Sequence, residues 1–220
     1  DNLKNALPIL EKYSCPATIY IATSFLDNKV IPWWFLIWKI ISSQKQLNFN
    51  NKIINITEKK HKKNCYEMLC RKLISLNKNQ QDIIINDLSD DHLIEEDNIK
   101  EFLSSKDLAN LGNNNLIEIG CHTHTHQNLK VLNKEEIHNE IINSKSILEK
   151  IVKKKINHLS IPYGSKNCFD EKIIEQLSGY DFKTIVTTEH DIFRKNKCNR
   201  IPRIGIGNQD INDRLHSKSI

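Results

Sequence analysis

Three histidines crowd one short segment, where residues 118–126 read EIGCHTHTH. Imidazole is the commonest transition-metal ligand near neutral pH, and two histidines four residues apart in a turn can direct two nitrogens at one ion. His122 and His126 have that spacing and are the candidate metal ligands. His124 should then point elsewhere, either to solvent or to a neighbouring carboxylate. The alternative is a polar turn in which histidines cluster without binding anything.

A catalytic zinc site normally has three protein ligands, so a third ligand, expected to be a carboxylate, must come from another part of the chain. A second motif, Pro162-Tyr163-Gly164, suggests how a bound carbonyl could be stabilised. Proline fixes the approach of the chain and glycine permits an unusual turn, which can leave main-chain amides free to face a ligand. Oxyanion holes use such amides, although Pro-Tyr-Gly is also an ordinary turn.

A third motif, Ile201-Pro202-Arg203-Ile204-Gly205, places an arginine in a short apolar strand. A buried arginine requires a partner, usually a carboxylate held in place. Arg203 therefore forms either a structural salt bridge or a contact that supports a catalytic group.

Six other histidines are expected at the surface or in structural positions. A late catalytic histidine is conceivable only near the end of the sequence, in Leu215-His216-Ser217. The other five are His61, His92, His138, His158 and His190.

The elements that must position these motifs alternate between strands and helices. A helical pattern over residues 2–13 leads to a β-rich run at 17–22, and the histidine motif follows an apolar run at 116–119. Such alternation implies parallel strands wrapped by helices, either in an open doubly wound sheet or in a barrel. The remaining predicted elements are helices at 134–152 and 170–177 and strands at 158–161, 183–186 and 201–204.

A long block between the first two strands, about residues 27–105, has a different character. It contains almost no glycine or proline and no convergent polar residues, and we interpret it as a helical insertion packed on the domain. Its predicted elements are a helix at 33–41, a hairpin formed by 47–49 and 53–56, and helices at 57–76, 80–88 and 105–111.

The composition fits one globular domain over residues 1–220, with 39% hydrophobic and 27% charged residues. The net charge of +5 is spread along the chain without an aromatic and basic recognition motif, which argues against nucleic-acid binding. Six scattered cysteines without a CxxC pair are expected to be reduced. The longest apolar stretch, 30–41, is interrupted by Pro32 and Lys39, so no transmembrane helix is expected.

Together these motifs resemble those of the polysaccharide deacetylase family, also called the NodB-homology family, in carbohydrate esterase family four. Its histidine motif, His-Ser/Thr-x-x-His, matches His122 to His126, and the resemblance covers roughly residues 1 to 208. The insertion looks like that of members associated with bacterial surface-polysaccharide synthesis. The other matching segments are residues 5–10, 16–18, 33–34, 162–164 and 201–203.

The resemblance implies a distorted (β/α) barrel that hydrolyses N-acetyl groups of hexosamine units in an N-acetylated glycan. The implied metal is usually zinc, held by an aspartate and by the histidines that match His122 and His126. Tyr163 would supply its backbone amide to the oxyanion, and Arg203 would orient the catalytic base. A cytoplasmic location, or one at the inner face of the membrane, would suit polysaccharide assembly.

The sequence departs from the family at its start. Family members open with Thr-Phe-Asp-Asp-Gly on their first strand, whose first aspartate acts as base and whose second binds metal. Here the sequence begins with Asp1-Asn2-Leu3, which looks like the segment just after that motif, so Asp1 is expected to be neither residue and the first strand is expected to be missing. Two other functions stay open, namely hydrolysis of a non-sugar carbon–nitrogen bond and glycan binding without catalysis.

Overall fold

The computed structural model describes residues 2–89, 102–189, 191 and 200–203. Its first elements are a π-helical turn, Asn2–Ala6, helix α1 (Leu7–Lys12) and strand β1 (Ala17–Ile21). Proline in the first turn of α1 suits a helix start, because the first turn leaves its N–H groups without helical partners. The predicted helix at 2–13 and the predicted strand at 17–22 are therefore confirmed.

The central sheet has five parallel strands in the order β1-β4-β5-β6-β7. A helix lies in the connection that follows β4 and another in the connection that follows β5, as parallel strands joined by crossovers require. Within the described residues β1 pairs only with β4, and β7 pairs only with β6, which leaves two edges and gives a partial barrel. The predicted α/β class is confirmed. The bounds are β4 (Ile117–Cys121), β5 (His158–Ser160), β6 (Thr184–Val186) and β7 (Arg200–Ile201).

Helix α6 (Lys134–Val152) has the bounds that its periodicity predicts. Asn133 and Glu136 form a capping box at its start, which satisfies backbone N–H groups that a helix leaves free. Its apolar stripe is buried against β4 and α5 (Ser105–Gly112), where Ile141 and Leu148 have no exposed surface. Burying a side chain of this size contributes about 2 kcal/mol. We call the sheet with α5, α6 and α7 (Glu171–Ser178) the sheet body.

The block between β1 and α5 forms a second hydrophobic core, which we call the insertion core. Its hairpin turns at Asn50 and Asn51, whose φ angles of 52° and 59° suit a two-residue turn and explain why asparagines occupy it. Its helices follow the predicted order. The insertion core consists of α2 (Trp33–Ser43), β2 (Gln46–Phe49), β3 (Lys52–Asn55), α3 (Lys59–Ile74) and α4 (Lys78–Leu88).

The two ends of this block lie side by side. The Asp27 carboxylate accepts hydrogen bonds from the Ser105 N–H at 2.7 Å and from its hydroxyl at 2.6 Å. The Asp27 N–H donates to the Leu103 carbonyl at 3.1 Å. These bonds pull down the pKa of the Asp27 carboxyl, because both Ser105 donors favour its charged form. The division of the chain at about 27 and 105 stays our interpretation.

Two short 3-10 helices, Thr23–Asn28 and Leu129–Val131, were not predicted. The first contains residues with non-helical backbone angles, so no helical spacing of apolar residues predicts it. The last strand was predicted at residues 201–204. The strand in the structure is Arg200–Ile201, so it begins one residue earlier. The five described cysteines are free thiols. Among the described helices, none is long and apolar enough to cross a membrane.

Candidate functional site

His122 lies directly after β4, at the carboxyl end of the strand. Its N–H donates to the Ile21 carbonyl at 3.0 Å, and its ring Nδ1 lies 2.7 Å from the Ser160 carbonyl. A carbonyl can only accept, so Nδ1 carries the proton and Nε2 keeps its lone pair. Burial lowers the pKa of His122 to about 4, and the nearby Arg203 guanidinium adds to that shift. The imidazole is neutral at pH 7, the state in which it can bind a metal ion.

His126 lies beside it, with ring centroids 4.7 Å apart and ring planes at 78°. Burial lowers the pKa of His126 to about 3, with a smaller effect from His122. Its Nδ1 is buried without a hydrogen-bond partner in the described part of the chain. Two adjacent neutral imidazoles, one with an unpartnered buried nitrogen, fit a divalent cation. The described residues contain no cluster of three His, Cys, Asp or Glu side chains, so they do not supply the expected carboxylate ligand.

The His124 ring makes its hydrogen bond with another residue. Its Nδ1 lies 2.8 Å from the Thr23 hydroxyl, so the ring partner is a hydroxyl instead of the expected solvent or carboxylate. A carboxylate does reach this turn, but it binds the backbone. The His124 N–H donates to Glu140 at 2.9 Å, and the Thr125 N–H donates to the same oxygen at 2.8 Å.

Glu140, on α6, holds the histidine turn in a strained conformation. Thr123 and His126 have φ angles of 65° and 60°, in the left-handed region that a β-branched residue rarely adopts. Such backbone costs about 1–3 kcal/mol per residue and persists only where the surroundings fix it. Besides the two N–H groups, Glu140 accepts the Thr125 hydroxyl at 2.5 Å, so three hydrogen bonds to one charged group stabilise the turn.

The Pro-Tyr-Gly turn is also strained. Tyr163 and Gly164 have φ angles of 59° and 64°, and a Cβ at Gly164 would lie 2.7 Å from the Thr188 nitrogen, so only glycine fits. The Tyr163 carbonyl accepts from the Thr188 hydroxyl at 3.0 Å. Within the described residues the Tyr163 N–H donates no hydrogen bond. Among the described residues the turn thus offers an unpaired amide of the kind an oxyanion site needs, in a backbone conformation typical of functional sites.

Aromatic rings surround His126. The ring centroids of Tyr163, Trp34 and Phe25 lie 4.8, 5.0 and 6.2 Å from that of His126. Trp33 donates its indole N–H to the Tyr163 hydroxyl at 3.3 Å. Burial raises the pKa of the Tyr163 phenol, so the phenol stays protonated. Apolar rings around a polar pair are typical of small-molecule sites.

The insertion core also contributes polar groups, so the interpretation that it has no convergent polar residues is wrong. Gln81 is buried, and its amide donates to the Leu73 and Leu76 carbonyls at 2.8 and 3.1 Å. Its oxygen accepts from the Gln127 amide at 3.0 Å, next to His126. Gln81 is one polar residue of a polar helix, so no sequence pattern predicts this contact.

Arg203 lies on the other side of His122. Its Nε donates to the Thr187 carbonyl at 3.0 Å and its Nη2 donates to the Ser160 hydroxyl at 3.1 Å. The guanidinium lies 5.9 Å from the ring centroid of Tyr20. Burial lowers the pKa of Arg203. Its partners among the described residues are a carbonyl, a hydroxyl and a ring, so the expected salt bridge to a carboxylate is not found there.

The other histidines lie where the sequence places them or outside the described residues. His61 is exposed beside Glu58, and His138 contacts Tyr180 on the surface. His158 is partly buried against Thr184 at 2.7 Å. The histidines outside the described residues are His92, His190 and His216.

A cleft of about 720 Å³ lies beside this site. Tyr20 and Phe25 line it and also contact the groups around the histidine pair, and Phe35 and Phe102 extend its aromatic wall.

An α/β partial barrel with two neutral histidines at the end of a strand defines a candidate metal-hydrolase site. A family model described as polysaccharide deacetylase matches residues 1–185. The chain therefore belongs to the polysaccharide deacetylase family, as its motifs predict.

One solved structure supports the fold, and two others are reported as similar. A de-N-acetylase from Aggregatibacter actinomycetemcomitans aligns over 97% of this chain and 68% of its own length, with a TM-score of 0.56 and 13% identity. A polysaccharide deacetylase from Bacillus cereus aligns over 65% of this chain at a TM-score of 0.46 and 18% identity, and the match spans 48% of its length. A CE4 family pseudoenzyme from Bacillus anthracis has 23% identity and a TM-score of 0.34, covering 37% of this chain and 27% of the pseudoenzyme. No curated protein matches the chain.

Proposed function

We propose that this chain is the histidine-bearing part of a metal-dependent hydrolase that removes acetyl groups from N-acetylated hexosamine units of a polysaccharide or glycan precursor. The observation that carries the proposal is the pair His122 and His126, whose pKa values of about 4 and about 3 keep two adjacent imidazoles neutral. Membership of the polysaccharide deacetylase family supports the reaction class.

Zinc is the metal we propose, because neutral imidazole suits it and it needs no redox chemistry for hydrolysis. His122 would bind through Nε2, since its Nδ1 is engaged by Ser160. A bound zinc ion supplies Lewis acidity, which polarises a carbonyl and lowers the pKa of water. We expect the third ligand and the base to be the aspartate pair of the family motif, on a strand that pairs with the outer edge of β1.

Tyr163 and Arg203 would act around the reacting carbonyl. The Tyr163 N–H, which has no hydrogen-bond partner among the described residues, would donate to the oxygen that gains negative charge as the amide is attacked, a contact worth several kcal/mol in comparable enzymes. Arg203 uses Nε and one terminal nitrogen for Thr187 and Ser160, so its other N–H groups can orient a carboxylate base.

The aromatic wall favours a sugar substrate. Trp34, Phe25 and Tyr163 offer apolar ring faces beside the histidine pair, and a pyranose ring presents apolar C–H faces with polar hydroxyls at its rim. We further propose a role in bacterial surface-polysaccharide synthesis at the cytoplasm or the inner membrane face, because the insertion resembles that of members with such a role.

One observation favours a second function. The described residues hold two metal-type ligands and no third, which suits a protein that binds glycan without hydrolysing it. Such a protein would bind N-acetylated oligomers and release no acetate.

Zinc content and acetate release from N-acetylglucosamine oligomers test the proposal. The chain is compared with a version extended upstream to include any Asp-Asp motif in its gene. We expect the extended form to bind about one zinc ion per chain and to release acetate. Tyr163→Phe, which keeps the backbone amide, should retain acetate release. Glycan binding without zinc or acetate in the extended form would favour the second function.

A further inference from the structure

We propose that Trp38 and Tyr66 form an outlying sugar subsite that binds a second unit of a glycan chain, so that the substrate is an oligomer or polymer. This inference rests on the proposed function and names its substrate class. The subsite lies on the insertion core, on α2 and α3.

Trp38 is unusually exposed for its size. It is 48% exposed, whereas Ile37 and Ile41 on the same helix have no exposed surface. Its ring meets that of Tyr66 edge to face, with centroids 5.5 Å apart and planes at 85°. This contact fixes the orientation of the indole while leaving much of it open to solvent. A large aromatic surface held in place and open to solvent is a ready platform for a ligand with an apolar face.

The Trp38 ring of the platform lies on the same helix as Trp34, a ring of the candidate active site. Trp34 and Trp38 are four residues apart on α2, so they lie on the same face of the helix, about 6 Å apart along its axis. Trp34 is the ring that packs 5.0 Å from His126. A row of aromatic side chains therefore leads from the histidine pair, through Trp34, to Trp38 and Tyr66.

A cation borders the platform. Lys62 donates from Nζ to the Ser42 carbonyl at 2.6 Å, and this bond places the ammonium one turn after Trp38 on α2 and one turn before Tyr66 on α3. An ammonium carries three donors, and among the described residues this bond uses one of them. A flat ring with N–H donors at its border matches a pyranose, whose C–H face is apolar and whose rim carries hydroxyls.

This arrangement would change which substrates are used well. A sugar unit bound at Trp38 adds binding energy remote from the reacting amide, and enzymes use such energy to position the reacting unit. Short substrates that reach only Trp34 would lose this contribution.

The test compares binding of an N-acetylglucosamine hexamer and dimer by calorimetry, for the unmodified chain, Trp38→Ala and a control, Ile53→Ala. Ile53 is 74% exposed on the hairpin of the insertion core, so its variant removes an apolar side chain that is even more exposed than Trp38. We expect Trp38→Ala to weaken hexamer binding about tenfold and dimer binding less than about twofold. Ile53→Ala should leave both unchanged, and thermal unfolding checks that each variant is folded.

Failure of the subsite can be told apart from failure of the proposed function. Hexamer binding that depends on Trp38 without acetate release from the upstream-extended form would overturn the catalytic proposal and keep the subsite. The subsite is overturned if the unmodified chain does not bind the hexamer, if Trp38→Ala leaves hexamer binding intact, or if both lengths weaken equally. It is also overturned if sedimentation shows that Trp38→Ala separates a dimer of this chain, because the surface is then a self-association face.

Discussion

The sheet body and the insertion core hold the histidine turn from opposite sides and by different means. The sheet body uses charge, since the Glu140 carboxylate accepts three hydrogen bonds from residues 124 and 125. The insertion core uses a neutral buried amide, Gln81, which reaches Gln127, and an aromatic ring, Trp34, which packs on His126. The difference indicates that a charged group of the sheet body holds the backbone of the turn, whereas the insertion core contacts the residues at its end through an amide and a ring.

The largest expected effect concerns the cores themselves. Leu148→Ala in the sheet body and Leu69→Ala in the insertion core each remove a side chain with no exposed surface, so each should lower the free energy of unfolding by about 3 kcal/mol. Because buried contacts join the two regions at the histidine turn, we expect one cooperative transition in denaturant for all three proteins. Two resolved transitions, each moved by only one variant, would contradict this.

Removing the buried amide should have the next largest effect. Gln81→Leu leaves two carbonyls and the Gln127 amide without their partner, which should lower the free energy of unfolding by about 2 kcal/mol. Zinc affinity should fall about tenfold, as it does when an outer partner of a metal site is lost. Asn79→Leu, at an exposed position on the same helix, is the control and should leave zinc affinity unchanged. If both variants bind zinc equally, the insertion core does not position His126.

Glu140→Gln tests the other side of the turn. The uncharged amide keeps the shape but loses charge-assisted acceptance of two N–H groups, so zinc affinity should fall about tenfold with a smaller change in stability than Gln81→Leu. Glu135→Gln, also on α6 but away from the turn, serves as the control. A loss of stability without any loss of zinc affinity would mean that Glu140 supports only the fold.

The smallest effect is expected where the ends of the insertion meet. The pKa of Asp27 is lowered in the folded chain. Its contribution to the free energy of unfolding is therefore present above the unfolded pKa of about 3.9 and is lost as pH falls through the folded pKa. Asp27→Asn keeps a residue that tolerates the φ of 58° and removes the charge. It should cost less than about 1 kcal/mol at pH 7 and flatten the pH dependence of unfolding between about pH 2 and 5. An unchanged acid profile would contradict this.

Much of the fold could be predicted because the patterns that indicate it involve residues close together in the sequence. The apolar spacing and capping box of α6 fix its bounds, and Asn50 with Asn51 announce the hairpin turn. The histidine pair was equally visible, because two ligands four residues apart occupy one turn. The 3-10 helix at residues 23–28 could not be predicted, because it contains residues with non-helical backbone angles and therefore shows no helical spacing of apolar residues.

The hydrogen bonds that hold the histidine turn could not be predicted, because they join residues that are distant in the sequence. Glu140 and Gln81 are ordinary members of charged or polar helices until tertiary packing brings them to the turn. Arg203 was expected to find a carboxylate, but the Thr187 carbonyl and the Ser160 hydroxyl satisfy it within the described residues. Hydrogen-bond partners of this kind follow from strand register, which the sequence pattern does not specify.

Zinc titration of three histidine variants, each made in the upstream-extended form, tests the central claim most directly. His122→Ala and His126→Ala should each weaken zinc binding by more than about 100-fold, beyond what loss of an outer partner causes. His124→Ala, in the same turn but bonded to Thr23, should retain zinc binding within about tenfold. Equal loss in all three variants, or retention of zinc by either of the first two, would contradict the assignment of His122 and His126 as the metal ligands.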